Sequence, residues 1–167
     1  MFIASVSSYK KVLCSLVVLL FISGCSTLAV KRDESRATKI FNYPYDKVWA
    51  GLINVIFKEG DTIVKKNEEK RMILTGYDKI TVAELKRISQ MPPLFQSSGL
   101  AGAWLYARIK IDYFLYPVSE TETQVKMIAY LQGYNASGAR WINILTDGTK
   151  EKETFDALQL SLEKENN

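Results

Sequence analysis

The chain contains no histidine. That absence removes the commonest general base, the commonest zinc ligand and every Ser-His or Cys-His nucleophile pair, which argues against most hydrolases. Cysteine is nearly as scarce, with only Cys14 and Cys25. Long hydrophobic runs are missing too: Val12 to Ile22 is an eleven-residue stretch, apolar but for Ser15, whereas a membrane-spanning helix needs about 20. There is no block of five or more basic residues, so a nucleic-acid surface has no support. The glycine steps at Gly99 and Gly102 are not followed by Gly-Lys-Ser/Thr, so they do not make a phosphate loop. Glu68-Glu69 and Glu151 with Glu153 read as solvated charges on a turn and near a helix start, not as an acid–base pair. No catalytic residue, metal-ligand set or cofactor motif emerges, and the expectation is a protein that is not an enzyme.

What is present begins at the N-terminus. The first eleven residues carry no acid and end in Lys10-Lys11. The short apolar run follows, and then Ile22-Ser23-Gly24-Cys25. A basic start, a short apolar stretch and small residues beside a cut site are the marks of an export signal. The tetrapeptide resembles the lipobox of bacterial lipoproteins. The resemblance implies cleavage after residue 24 and a diacylglyceryl group on the Cys25 thiol, with two or three palmitate-like chains holding the protein to a membrane. One chain alone binds only marginally, since each buried methylene contributes about 0.8 kcal/mol. Ser26 is not the Asp that retains such proteins in the inner membrane. The expected location is therefore the periplasmic face of the outer membrane, or the cell membrane where there is no outer one. Cys14 would leave with the signal and Cys25 would carry lipid, so the mature chain would hold itself together without a disulfide.

Removing residues 1–24 leaves 143 residues with 20 basic and 18 acidic side chains, enough for one domain. Residues 25–38 are polar and mixed in charge without periodicity, and read as a flexible tether. A domain is expected over 39–163. Ile40-Phe41 suggests a short strand, and Pro44 with Asp46 marks a helix start. Val48, Leu52, Val55 and Ile56 recur at helical spacing over Tyr45 to Glu59, until Gly60 stops the helix. Residues 61–66 and 71–77 read as a hairpin. Thr81 to Glu84 has the spacing of a capping box and opens a short helix through Ser89.

Alternation of period two then predicts a long strand whose inner face carries Leu105, Ala107, Ile109, Ile111, Tyr113 and Leu115. Thr123 to Gly133 repeats it on an antiparallel partner. Residues 140–145 could be a last strand or an extended link. A C-terminal helix follows Asp147-Gly148, with Phe155, Leu158 and Leu162 on one side. The fold class is α+β: an antiparallel sheet with an N-terminal and a C-terminal helix packed on one face.

The segments Asn42 to Trp49, Glu59-Gly60 leading to Thr62–Lys65, and Asp147 to Glu151 resemble the helix-grip or TBP-like domains of BamC-like envelope lipoproteins. That resemblance covers about residues 39–163 and implies a binding or scaffold role in an envelope assembly, with an envelope protein as partner. A full BamC-like chain carries two such domains, and here only one fits. Helix-grip domains can also hold a hydrophobic small molecule between helix and sheet, which would place Phe155, Leu158, Ile109 and Met127 around a cavity.

The outer face of the long strand should present Trp104, Tyr106, Arg108, Lys110, Asp112, Phe114 and Tyr116, extended across the hairpin by Tyr130. Trp104, Tyr106, Arg108, Lys110 and Tyr130 are the partner-binding candidates, because aromatics and arginine concentrate where proteins bind. Plain cross-strand packing, with an Arg108–Asp112 contact, would explain the same residues without a partner. Leu94, Phe95 and Leu100, in a loop rich in proline, glycine and serine, could form a lid or touch the membrane, or fold back onto the core.

Overall fold

A computed structural model describes residues 34–91 and 104–164. Cys25 and the loop residues Leu94, Phe95 and Leu100 lie outside the described residues. Among those described, no helix is long and apolar enough to cross a membrane.

The first strand, β1 (Thr38–Phe41), leads through Pro44 into helix α1 (Tyr45–Glu59). The apolar stripe read from the sequence is the buried one: Val48, Leu52, Val55 and Ile56 are at most 2% exposed. Gly60, at φ 83°, ends the helix in the left-handed conformation, and the Asp61 N–H reaches back to the Ile56 carbonyl at 3.1 Å. Only glycine adopts that conformation without a steric penalty.

Strands β2 (Ile63–Asn67) and β3 (Met72–Thr75) form the expected hairpin, and β4 (Asp78–Ile80) follows directly. Helix α2 (Val82–Arg87) is capped by Thr81, whose hydroxyl accepts from the Glu84 N–H at 3.0 Å. It ends two residues earlier than the sequence suggests, because the Ser89 backbone is drawn into a bridge with Thr146.

The long strands β5 (Trp104–Pro117) and β6 (Thr123–Asn135) pair antiparallel along their whole length and form the spine of the sheet. At one end β1 flanks β6 and β3 flanks β5; at the other, β7 (Arg140–Ile144) flanks β6 and β4 flanks β5. Residues 140–144 are thus a true strand. The seven described strands make one open antiparallel sheet, and helix α3 (Thr149–Lys164) is the last described element.

One face of the sheet is covered. Ala107, Ile109, Ile111, Tyr113 and Leu115 of β5, with Val125, Met127, Ala129 and Leu131 of β6, join the buried residues of α1 and Leu85 of α2. Phe155, Leu158 and Leu162 of α3 belong to the same core, and Phe155 packs on Phe41 with ring centres 6.0 Å apart. Phe155, Leu158, Ile109 and Met127 are each at most 5% exposed and pack within one cluster; Phe155 and Ile109 border two different hollows, of about 490 and 320 Å³, neither of which Leu158 or Met127 lines.

The folded unit begins earlier than composition indicates. Glu34 to Ala37 form a turn, Ala37 is buried, and its carbonyl accepts from the Met127 N–H at 2.8 Å. Arg36 donates to the Asp147 carbonyl at 2.8 Å. The last residues of the segment read as a tether are therefore fastened to the sheet. A polar, aperiodic stretch gives no warning of this, because the attachment uses a backbone carbonyl, one small buried side chain and polar side chains that carry no periodic signal.

Candidate functional site

The three described helices lie on the inner face, so no described helix covers the outer face of the β4–β5–β6–β7 end. Strand register arranges it in rows, since side chains opposite one another on neighbouring antiparallel strands stand side by side. The first row is Tyr106, Tyr134 and Trp141. Its rings meet at 6.0 Å for Tyr106 and Tyr134 and at 5.5 Å, edge to face, for Tyr134 and Trp141. The second row is Lys79, Arg108, Gln132 and Asn143, one residue from each of four strands. The third pairs Lys110 with Tyr130.

Charge is threaded between these rings. The Arg108 guanidinium carbon lies 4.1 Å from the centre of Trp141 and 4.3 Å from that of Tyr77. Its Nε donates to Gln132 Oε1 at 2.8 Å, and Gln132 Nε2 donates to Asn143 Oδ1 at 2.7 Å. Lys110 Nζ sits 4.3 Å from the centre of Tyr130 and 3.3 Å from Asp112 Oδ2. Each cation–ring contact contributes about 0.5–1 kcal/mol at an exposed site. Together they hold long side chains in fixed positions on a surface that would otherwise leave them mobile. Tyr106 remains 63% exposed, and Tyr77, Tyr130 and Trp141 are each more than a third exposed.

Four of the five residues assigned to this face from sequence are on it: Tyr106, Arg108, Lys110 and Tyr130. Trp104 is not. A bulge between Trp104 and Tyr106 puts one extra residue in β5, which turns the strand over at that point. Trp104 then packs on the core, and Leu105, expected inside, is 50% exposed. The expected Arg108–Asp112 contact is also replaced: Arg108 is held by Gln132 and two rings, and Asp112 pairs with Lys110. Each charge meets a nearer partner than a side chain four residues away: Arg108 the cross-strand Gln132, and Asp112 the residue two positions before it on the same face of β5.

A second candidate is a polar hollow of about 320 Å³, where Glu59, Asp61, Asp78, Lys79, Glu84 and Lys150 meet. Lys150 pairs with Glu59 at 2.8 Å, tying the end of α1 to the start of α3. Among the described residues, no group of three or more acidic or cysteine side chains is arranged to hold a metal ion. Burial pushes the Asp61 carboxyl above its usual range, opposed by Lys150 and reinforced by Glu59 and Asp78. Its position just past the negative end of α1 acts in the same direction. A carboxyl whose folded pKa is raised subtracts stability once it ionises, and the penalty disappears below the unfolded-state pKa near 4. Asp61→Asn is therefore expected to raise the thermal midpoint at pH 7, with the gain shrinking to nothing as pH falls below about 4. A scan of Tm against pH for both proteins checks this, and an equal gain at every pH would contradict it.

Among the comparisons with known proteins, no family model matches the chain, and no curated protein matches it significantly.

Sequence reasoning missed Tyr77, Lys79, Gln132, Tyr134, Trp141 and Asn143. Gln132 and Tyr134 carried a signal, since they continue the alternation from Tyr130 on the predicted hairpin partner. The others sit on or beside strands of three and five residues, too short for a period of two to stand out.

Proposed function

We propose that the protein is a lipid-anchored envelope component that acts by binding, without catalysis, as an accessory or scaffold subunit of an envelope assembly. The anchor would be lipid on Cys25, on the periplasmic face of the outer membrane, as the lipobox-like tetrapeptide implies. The role agrees with what resemblance to BamC-like lipoproteins implies for such a domain. One observation carries the reading: the open sheet face presents Tyr106, Tyr134, Trp141 and Arg108 held by ring and cation–ring contacts, with Tyr130 against Lys110 beside them, uncovered by any described helix. Rigid aromatics and arginine bury much area at little cost in side-chain entropy, which is why they dominate protein–protein contacts. The packed core beneath, with Phe155, Leu158, Ile109 and Met127 buried in it, favours a surface binder over a carrier.

The test uses the full chain in cells, with a photocrosslinking residue at position 106 or 130 and, as control, at Gln159 on α3. A discrete protein adduct is expected from 106 and 130 but not from 159. Cys25→Ser should leave the membrane fraction and lose incorporation of labelled palmitate. The absence of adducts from both sheet positions would overturn the binding role, and unchanged fractionation of Cys25→Ser would overturn the anchor.

A further inference from the structure

Resting on that binding role, we infer that the row Lys79–Arg108–Gln132–Asn143 is a docking strip for an acidic, extended segment of a partner protein. The row crosses β4, β5, β6 and β7 in register, so its three strand spacings span about 14 Å. About four residues of extended chain cover that length.

The open groups of the row are donors, although at its β4 end Lys79 also borders the hollow that holds Asp61, Asp78 and Glu84. Gln132 is used at both ends, accepting from Arg108 and donating to Asn143. Among the described residues the polar groups left without a hydrogen bond or ion pair in the row are the Lys79 ammonium, the two terminal nitrogens of Arg108 and the Asn143 amide nitrogen. All are donors, so the row is complementary to acceptors. Two acids on the same face pair with lysines, Asp112 Oδ2 with Lys110 at 3.3 Å and Glu34 with Lys126 at 3.5 Å, while Asp112 Oδ1 is buried without a hydrogen bond. The surplus in the row itself is therefore positive, from Lys79 and Arg108.

Arg108 is the centre of the strip. Clamped between Tyr77 and Trp141 and fixed at Nε by Gln132, its guanidinium is oriented before any ligand arrives. A fixed planar fork matches a carboxylate bidentately and loses little entropy on binding. The rings of Trp141 and Tyr77 lie against that cation instead of projecting as a membrane-inserting tip would. The neutral amide at the end of the row suits a peptide carbonyl. These features favour an acidic protein segment over a lipid headgroup.

The experiment measures fluorescence anisotropy of a labelled dodecapeptide of alternating Glu and Thr with the full chain in detergent, beside its Gln-Thr counterpart. The Glu peptide should bind at low salt and weaken as salt rises, while the Gln peptide binds at least about tenfold more weakly. Arg108→Gln should lose about tenfold or more in affinity, and Arg108→Lys should not restore it. Lys79→Gln alters an exposed side chain that makes no hydrogen bond or ion pair among the described residues, so its expected several-fold loss does not depend on refolding. Equal binding of the two peptides, or Glu-peptide binding unchanged in both Arg108→Gln and Lys79→Gln, would overturn the inference. Binding to phosphatidylglycerol vesicles that falls in Arg108→Gln, without binding of the Glu peptide, would assign the strip to lipid and overturn it as well. If the peptide fails while crosslinks from 106 and 130 persist in cells, the binding role stands and only the acidic partner falls.

Discussion

Leu158→Ala is expected to lower the free energy of unfolding by about 2–5 kcal/mol. Leu158 is fully buried where α3 meets α1, and a β-carbon added at Gly51 of α1 would lie only 3.3 Å from Leu158 Cδ1 and 3.0 Å from Leu162 Cδ2. The two helices are in close contact there, so the site cannot collapse to fill the space the leucine leaves. Urea unfolding should show a lower midpoint with an unchanged slope. Leu160→Ala on the same helix is the control. Leu160 is 57% exposed and should change stability by no more than about 0.5 kcal/mol. Equal effects of the two substitutions would mean that α3 is not seated by the face described.

Gly133→Ala should destabilise by about 1–3 kcal/mol, the usual cost of overpacking. A β-carbon there would stand 2.6 Å from Trp104 Cε3 and 2.7 Å from its Cζ3, with Leu85 Cδ2 at 3.1 Å. The indole must move, and it is the side chain that the β5 bulge turned inward. A red shift of tryptophan emission is therefore expected alongside the lower midpoint. The loss should be smaller when Gly133→Ala is made in a Trp104→Ala background, because the clashing ring is gone; such non-additivity is the mark of direct contact. Strict additivity would place Trp104 elsewhere, on the outer face where alternation alone puts it. The same geometry means that Trp104→Phe should leave binding of the acidic peptide nearly unchanged.

Much of the fold was legible because its signals are local. The stripe of α1, the Gly60 stop, the Thr81 cap and the inner residues 107–115 each follow from a few neighbours in sequence. The candidate site was legible only in part. Tyr106, Arg108 and Lys110 share a face by alternation, and Tyr130 faces them once the hairpin is drawn. Which residues flank them depends on β4 and β7, short strands that owe their existence to pairing with the spine. Trp104 was misplaced because a single extra residue reverses the alternation, and nothing in the residues themselves marks where it falls.

By itself the sequence determined the α+β class, the absence of histidine chemistry, the leader-like start with its Cys25 motif, and the side of each long element that is apolar. These follow from composition and from periods of 2 and 3.6 residues, which act within one element. The tertiary structure decided that Arg108 is clamped between Tyr77 and Trp141, that Lys79 and Asn143 extend its row, and that Trp104 leaves the face altogether. Those outcomes depend on register between strands distant in sequence, where a shift of one residue exchanges the two faces, and only the folded sheet fixes it.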